Sequence, residues 1–141
     1  MTMRILAVDP GDKRHGLAIS DPTGTIANPL AVLKHVSRLV DAAAIAQIAA
    51  ENQAGLILVG QALDEEGLPT SQGRRASKLA QAIQSQTLLP VELWDESGST
   101  QEAQAASIAM GVSRRTRRQR GHGHLDDLAA TVILQSYLDE R

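Results

Sequence analysis

The sequence contains no cysteine and no phenylalanine, and its only large aromatic residues are one tryptophan and one tyrosine. Disulfide bonds are therefore excluded, which fits a protein of the reducing cytoplasm. Proteins that bind single-stranded nucleic acid usually stack bases on aromatic side chains, and this chain has few to offer. Any contact with a nucleic acid would have to depend on phosphates and on shape.

Long apolar runs and a net positive charge are also missing. The N-terminal stretch MTMRILAVDP reaches an aspartate after a short apolar run, so we expect neither a secretory signal nor a membrane span. The formal net charge of −2 argues against a globally basic nucleic-acid binder. The length of 141 residues predicts one domain over residues 1–141.

Positive charge is instead concentrated in residues 114–120. This segment holds five of the 14 basic residues. The rest of the chain contains nine basic and 16 acidic residues. A local positive segment on an acidic body can still contact a polyanion. The five are Arg114, Arg115, Arg117, Arg118 and Arg120.

Hydrophobic periodicity predicts three strands followed by alternating helices and strands. The first three strands are joined by tight turns, which indicates an antiparallel meander, and Pro29 places the third strand at an edge. The whole pattern predicts a mixed α/β sheet of five strands with helices on both faces. The strands are predicted at residues 4–9, 17–21, 26–33, 56–60 and 91–95, and the helices at 37–53, 72–86, 99–110 and 125–138.

Acidic residues stand at the ends of three predicted elements. Asp9 ends the first strand, Asp95 and Glu96 end the last strand, and Asp126 and Asp127 begin the last helix. Ligands of open α/β sheets gather beyond the carboxyl ends of the strands. Carboxylates that converge there repel one another, and Mg²⁺ or Mn²⁺ relieves that cost. Two such ions about 4 Å apart can hydrolyse a phosphodiester.

Each of these positions also has an ordinary structural explanation. Asp126 and Asp127 suit the positive end of a helix dipole, and Asp95 with Glu96 is a common polar strand end. Asp9 could be a turn residue before a proline. Only the combination favours a metal site.

The turn that follows Asp9 carries two cations. In the segment DPGDKRHG, Gly11 lets backbone approach a phosphate, and Lys13 and Arg14 can neutralise phosphate oxygens. The alternative is a hairpin turn with solvated charges. His15 is expected to be structural or exposed, while His122 and His124 belong to a solvated loop or assist a metal site.

Four blocks of the sequence, in this order and spacing, resemble the YqgF/RuvX family. That family has an RNase H-like fold, and its members are described as pre-16S rRNA nucleases or Holliday junction resolvases. The blocks are Asp9-Pro10-Gly11 with Lys13, Gly16 and Ala18; Leu58-Val59-Gly60 with Gly67, Arg75 and Ala80; Asp95-Glu96 with Ser99-Thr100; and Asp126 with Ala129-Ala130 and Ile133-Leu134-Gln135.

The resemblance implies a hydrolase in which Asp9, the Asp95–Glu96 pair and Asp126 hold two Mg²⁺ or Mn²⁺ ions. Which residue of the pair is the direct ligand stays open. The implied function is cleavage of RNA at the 5′ end of pre-16S rRNA in the cytoplasm by a monomer or weak dimer, with the ribosome as a possible partner and no membrane. The residues assigned to substrate contact are Lys13, Arg14, Arg75, His124 and the five arginines of residues 114–120.

Three departures from the family pattern bear on substrate binding. Ser97 stands where arginine usually follows the Asp-Glu pair, Gln61-Ala62 stands where Leu-Pro is common, and His124 replaces a frequent lysine. Two cations near the carboxylates are thereby lost. The arginines of residues 114–120 could compensate for them.

We therefore expect alanine at these five arginines to weaken nucleic-acid binding and to flatten its dependence on salt, because each lost phosphate contact releases one fewer counterion. Titrations at several salt concentrations measure both effects. Unchanged affinity throughout would contradict the prediction.

Three other functions compete with an RNA nuclease. Holliday junction resolution is the alternative within the enzyme class, and a nucleic-acid or ribosome-binding module with a decayed site is the alternative outside it. An ATP-dependent enzyme is suggested by the pattern D-x-G-x-x-x-x-G at residues 9–16. Such enzymes enclose the nucleotide between two lobes. A chain of 141 residues has room for a single lobe, which disfavours an ATP-dependent enzyme.

Overall fold

The computed structural model describes residues 3–95 and 123–140, with side chains from residue 128 onward in the second segment. The described strands are β1 (Arg4–Asp9), β2 (Arg14–Ser20), β3 (Ala27–Lys34), β4 (Ala54–Gln61) and β5 (Val91–Asp95). The described helices are α1 (Arg38–Glu51), α2 (Ser71–Gln84) and α3 (Gly123–Glu140). The predicted helix at 99–110 lies outside the described residues.

The five strands form one sheet in the order β3-β2-β1-β4-β5. β1, β2 and β3 are an antiparallel meander, while β4 pairs parallel to β1 and β5 pairs parallel to β4. The predicted mixed sheet is therefore confirmed, including the edge position of the strand that contains Pro29.

Both faces of the sheet are covered. On one side, called here the α1–α2 face, Leu6 and Val8 of β1 pack with Ile57 and Val59 of β4 beneath the first two helices. On the other side, the α3 face, Ile5 and Ala7 alternate with them and pack beneath the last helix. Burial on both faces explains why β1 and β4 read as nearly continuous apolar runs.

The first helix does not bury all of its apolar side chains. Ser37 is the N-cap, and its side chain accepts a hydrogen bond from the Val40 N–H. However, Leu39 and Val40 are 66% and 51% exposed, whereas Asp41 is 1% exposed. The helix is rotated so that a carboxylate, rather than these two apolar side chains, faces the protein interior.

Among the helices described, none is long and apolar enough to cross a lipid bilayer.

Candidate active site

Asp9 is the last residue of β1. It lies at the end of the sheet where the parallel strands β1, β4 and β5 terminate, which is called here the carboxyl edge. Its antiparallel partner in β2 is Gly16. On the other side, the pairing of Val8 with Val59 places Gly60 next along β4. Because glycine has no side chain, neither neighbouring position adds a side chain beside the half-buried carboxylate.

The strand alternation assigns the Asp9 side chain to the α3 face. Val8 belongs to the core of the α1–α2 face, and Ala7 belongs to the core of the α3 face. Successive side chains of a strand point to opposite faces, so Asp9 lies on the same face as Ala7.

Asp95 ends β5 at the same carboxyl edge. Its strand is the second one from β1, so the two backbones are about 10 Å apart. It is in register with Gln61 of β4. The Gln61 side-chain amide points to α2, where it donates to the Gly73 carbonyl at 3.2 Å and to Ser77 Oγ at 2.7 Å. Asp95 therefore lies on the α1–α2 face, and the structure brings the two aspartates to one edge but on opposite faces.

Trp94 occupies the face that Asp95 does not. It is partly buried against the core of the α3 face, and its ring meets Tyr137 edge to face at 5.2 Å between centroids. Trp94 and Asp95 therefore point to opposite sides of the sheet, and Trp94 contributes to the core of the α3 face.

The remaining predicted ligands are only partly described. The backbone of Asp126 lies in the first turn of α3, and its side chain is not among those described. Glu96 and the arginines of residues 114–120 lie outside the described residues, and so does the side chain of His124.

Of the predicted substrate contacts, Lys13 and Arg14 are exposed where β2 begins, directly after the turn that follows Asp9. Arg75 is also exposed, and its guanidinium forms an ion pair with Asp12 in that turn. Arg75 thus ties α2 to the turn.

Two further hydrogen bonds, to side chains of β2 and α2, hold the same turn. The Gly11 N–H donates to His15 Nδ1 at 3.3 Å, and the Gln72 side-chain amide donates to the Pro10 carbonyl at 3.3 Å. A Cβ atom at position 11 would overlap the Arg14 carbonyl oxygen, so the turn is closed too tightly for any residue but glycine.

His15 is the first member of a buried network that the sequence did not reveal. Since His15 Nδ1 accepts a hydrogen bond, Nε2 carries the proton and donates to Asp41 Oδ2 at 2.8 Å. His35 Nδ1 reaches the same oxygen at 2.5 Å, and the Val36 N–H donates to Asp41 Oδ1 at 2.9 Å. The structure confirms a structural role for His15, which is 5% exposed.

The network lowers the pKa of Asp41. Burial raises this pKa, but the hydrogen bonds from Val36, His35 and His15 stabilise the carboxylate and more than offset the effect of burial. The only hint in the sequence was an aspartate in a first helical turn, which is usually a solvated partner of the helix dipole.

The donor atoms of His15, His35 and Asp41 lie within 4.8 Å of one another and could in principle hold a metal ion. A metal on His15 Nε2 would move the imidazole proton to Nδ1, where it would face the Gly11 N–H. The hydrogen bonds already satisfy these groups, and we interpret the cluster as structural.

Comparison with solved structures defines the class of the fold. Thermus thermophilus RuvC in complex with a Holliday junction substrate is 15% identical, with a TM-score of 0.60 over 98% of this chain and 95% of that chain. Fowlpox virus resolvase in complex with Holliday junction DNA is 14% identical, with a TM-score of 0.60 over 98% of both chains. The chain thus has an RNase H-like fold.

Sequence comparison then identifies the family. The family model described as "RuvX: Holliday junction resolvase" matches residues 3–140, so the chain belongs to the RuvX family. A Thermoanaerobacter pseudethanolicus protein is 38% identical over 139 residues, which is 99% of this chain and 98% of the relative. An Anaeromyxobacter protein is 40% identical with the same coverage. Both relatives bear the name "Putative pre-16S rRNA nuclease".

Proposed function

We propose that this protein is a metal-dependent nuclease that hydrolyses phosphodiester bonds in RNA and processes the 5′ end of pre-16S rRNA. The names of full-length relatives support the substrate. The observation that carries the proposal is the placement of Asp9, a carboxylate at the end of a central strand with glycine at the two adjacent strand positions. A phosphodiester and its ions need such an uncrowded carboxylate.

The oxygen ligands at this edge fit Mg²⁺ or Mn²⁺, which prefer carboxylates and water. Two bound ions would lower the pKa of a water molecule and stabilise the leaving oxygen. The protein's part is to hold Asp9 on a rigid strand that is buried on both faces. Lys13 and Arg14, exposed at the start of β2, would neutralise phosphate oxygens of the bound substrate.

For the ligand from the end of β5, we propose Glu96 rather than Asp95. Asp95 lies on the α1–α2 face with Gln61, while Asp9 lies on the α3 face. An aspartate side chain is too short to pass around the edge of a sheet to the other face. Glu96 follows Asp95 directly in the sequence, and continuing the alternation of β5 by one residue would direct its carboxylate to the face of Asp9.

Asparagine at position 95 is expected to change cleavage less than threefold, whereas glutamine at position 96 is expected to reduce it by about a hundredfold or more, because only the second change removes a metal ligand. Single-turnover rates in saturating Mg²⁺ compare the two variants. Equal losses, or the reverse order, would show that the strand alternation does not decide the ligand.

Asp126 is the proposed third ligand. The C-terminal half of α3 lies at the edge where β1 begins, since the Gln135 side chain accepts from the Ala27 N–H at 2.9 Å and donates to the Thr25 carbonyl at 3.1 Å. At 1.5 Å per residue, Asp126 lies about 13 Å from Gln135 along the helix. We propose that this length brings the first turn of α3 to the edge where β1 ends.

For Arg75 the structure favours an indirect part in substrate binding. Its ion pair with Asp12 holds the turn that carries Lys13, and we propose that it acts through the position of that turn. Direct phosphate contacts by His124 and by the arginines of residues 114–120 remain predictions, as do the cytoplasmic location, the ribosome as partner and a monomeric or weakly dimeric state.

Holliday junction cleavage is the second candidate, favoured by the description of the matching family model. A resolvase must cut two strands related by the symmetry of the junction, so it is expected to act as a dimer with two sites. Sedimentation of the protein with and without a four-way junction measures whether a dimer forms.

The proposal is tested by offering three labelled substrates to the wild-type protein in Mg²⁺ and in Mn²⁺: a precursor RNA with the 16S leader, a single-stranded DNA and a four-way DNA junction. We expect cleavage of the RNA at or near the mature 5′ end. Preferential cutting of the junction would favour the resolvase. Binding without cleavage of any substrate would identify a non-catalytic module.

A further inference from the structure

Two cations lie opposite each other in the β2–β3 pair, at the end away from the turn that joins these two strands. Arg14, the first residue of β2, is in register with Lys34, the last residue of β3. Both side chains are exposed. Residues that are directly opposite in an antiparallel pair have Cβ atoms about 5 Å apart, and like charges in these positions destabilise the pair. An anion that contacts Lys34 reduces this repulsion.

The described part of the protein supplies no acidic partner to Lys34. Within residues 3–95 and 128–140, Lys34 takes part in no salt bridge. The nearby carboxylate of Asp12 is engaged by Arg75. The ammonium group of Lys34 is thus available to a ligand from solution.

The pair lies on the same face of the sheet as Asp9. In β2, Leu17 belongs to the core of the α1–α2 face and Ala18 to that of the α3 face. Side chains two and four residues from Ala18 therefore also lie on the α3 face. These residues are Gly16, the partner of Asp9, and Arg14, the partner of Lys34.

The surface between Asp9 and the two cations carries no long side chain. It is formed by Gly16, which has no side chain, and by the half-buried Val32 that pairs with it. Beyond it, an open depression of about 580 Å³ is lined by Lys13, Arg14, Val32 and Lys34, with Asp12 and His35. Strand geometry places Lys34 about 12 Å from Asp9, two strands across and two residues along.

From this arrangement we propose that Lys34 and Arg14 form a phosphate-binding surface that carries the sugar–phosphate backbone of the substrate away from Asp9, across Gly16 and over the edge of β3. The inference rests on the proposed nuclease function and extends it, because it assigns a direction to the bound strand and adds Lys34 to the residues that bind it. The ligand is a polyanion with regularly spaced phosphates, and the recognition is independent of sequence.

The test compares the Lys34→Gln variant with the Lys78→Gln variant. Lys78 is an exposed lysine of α2, on the other face of the sheet, so the change in net charge is matched. Binding of a fluorescein-labelled RNA without divalent ions is followed by anisotropy from 50 to 200 mM salt. For Lys34→Gln we expect affinity about five- to tenfold lower at 0.1 M salt and a salt slope reduced by about 0.7 to 0.9. Lys78→Gln should match the wild type.

Misfolding does not confound this comparison, because removal of a cation opposite Arg14 relieves repulsion and should leave the melting temperature unchanged or higher. Wild-type affinity of Lys34→Gln at every salt concentration would overturn the inference, as would an equal loss in Lys78→Gln. In that case, cleavage of the RNA by the wild type would show that the proposed function still stands. A wild-type protein that binds the RNA but cuts no substrate would remove the nuclease function and leave this surface in place.

Discussion

Replacement of Asp9 by asparagine is expected to reduce cleavage about a thousandfold or more while RNA binding in the absence of divalent ions is retained. Asparagine has the size of aspartate but lacks its negative charge, so it holds a divalent ion against a phosphate much more weakly. The loss of several kcal/mol of stabilisation corresponds to about three orders of magnitude in rate. Single-turnover cleavage of a labelled RNA measures the effect in Mg²⁺ and in Mn²⁺.

Asp139→Asn is the matched control for this experiment. Asp139 is an exposed aspartate near the C-terminus of α3, where it accepts a hydrogen bond from Gln135. The same chemical change there is expected to leave the cleavage rate within about twofold, as is usual for an exposed site away from the reaction. If Asp9→Asn cleaved as fast as this control, the carboxylate at the end of β1 would have no part in catalysis.

Replacement of Asp41 by alanine is expected to destabilise the protein by about 3 kcal/mol. Asp41 is 1% exposed and accepts hydrogen bonds from His15, His35 and the Val36 N–H. Its removal leaves buried donors without acceptors, and each unsatisfied buried group costs about 1–3 kcal/mol. Urea denaturation at pH 7 measures the difference. Asp64→Ala is a suitable control. The Asp64 carboxylate also accepts hydrogen bonds from backbone N–H groups, those of Glu66 and Leu68, but it is exposed rather than buried.

The effect of Asp41→Ala is expected to shrink in acid. Because the folded-state pKa of Asp41 is lowered, its carboxylate contributes stability that is fully present above the unfolded-state value of about 3.9. That contribution is lost as the pH falls through the folded-state pKa. Denaturation of both proteins at pH 7 and near pH 3 compares the differences. A larger difference at pH 3 would contradict the assignment of Asp41 as a carboxylate stabilised by its neighbours.

Much of the fold followed from the sequence, because the pattern of apolar residues is set by burial. The run RILAVD and the run VELWD have the bounds that were predicted for them, 4–9 and 91–95. Pro29 predicted an edge strand since proline cannot donate to a central ladder, and β3 is the edge. These features depend on local chemistry and on one-dimensional patterns.

The parts of the site that could not be predicted depend on how distant residues meet. Asp41 and His15 are 26 positions apart, and nothing in their spacing distinguishes a buried pair from a solvated helix start and a turn residue. The opposite faces of Asp9 and Asp95 follow from the register of three strands, which the sequence does not encode locally. The strand ends were visible in the sequence, but the side of the sheet on which each carboxylate lies was not.

The central claim is that carboxylates distant in sequence converge beside Asp9 to hold divalent ions. The most direct measurement is an anomalous difference map, recorded at the manganese absorption edge, from crystals grown with Mn²⁺. The account predicts two peaks about 4 Å apart at the carboxyl end of β1, with an Asp9 oxygen about 2.2 Å from at least one of them. An empty Asp9 position, with manganese bound only at His15, His35 and Asp41, would contradict it.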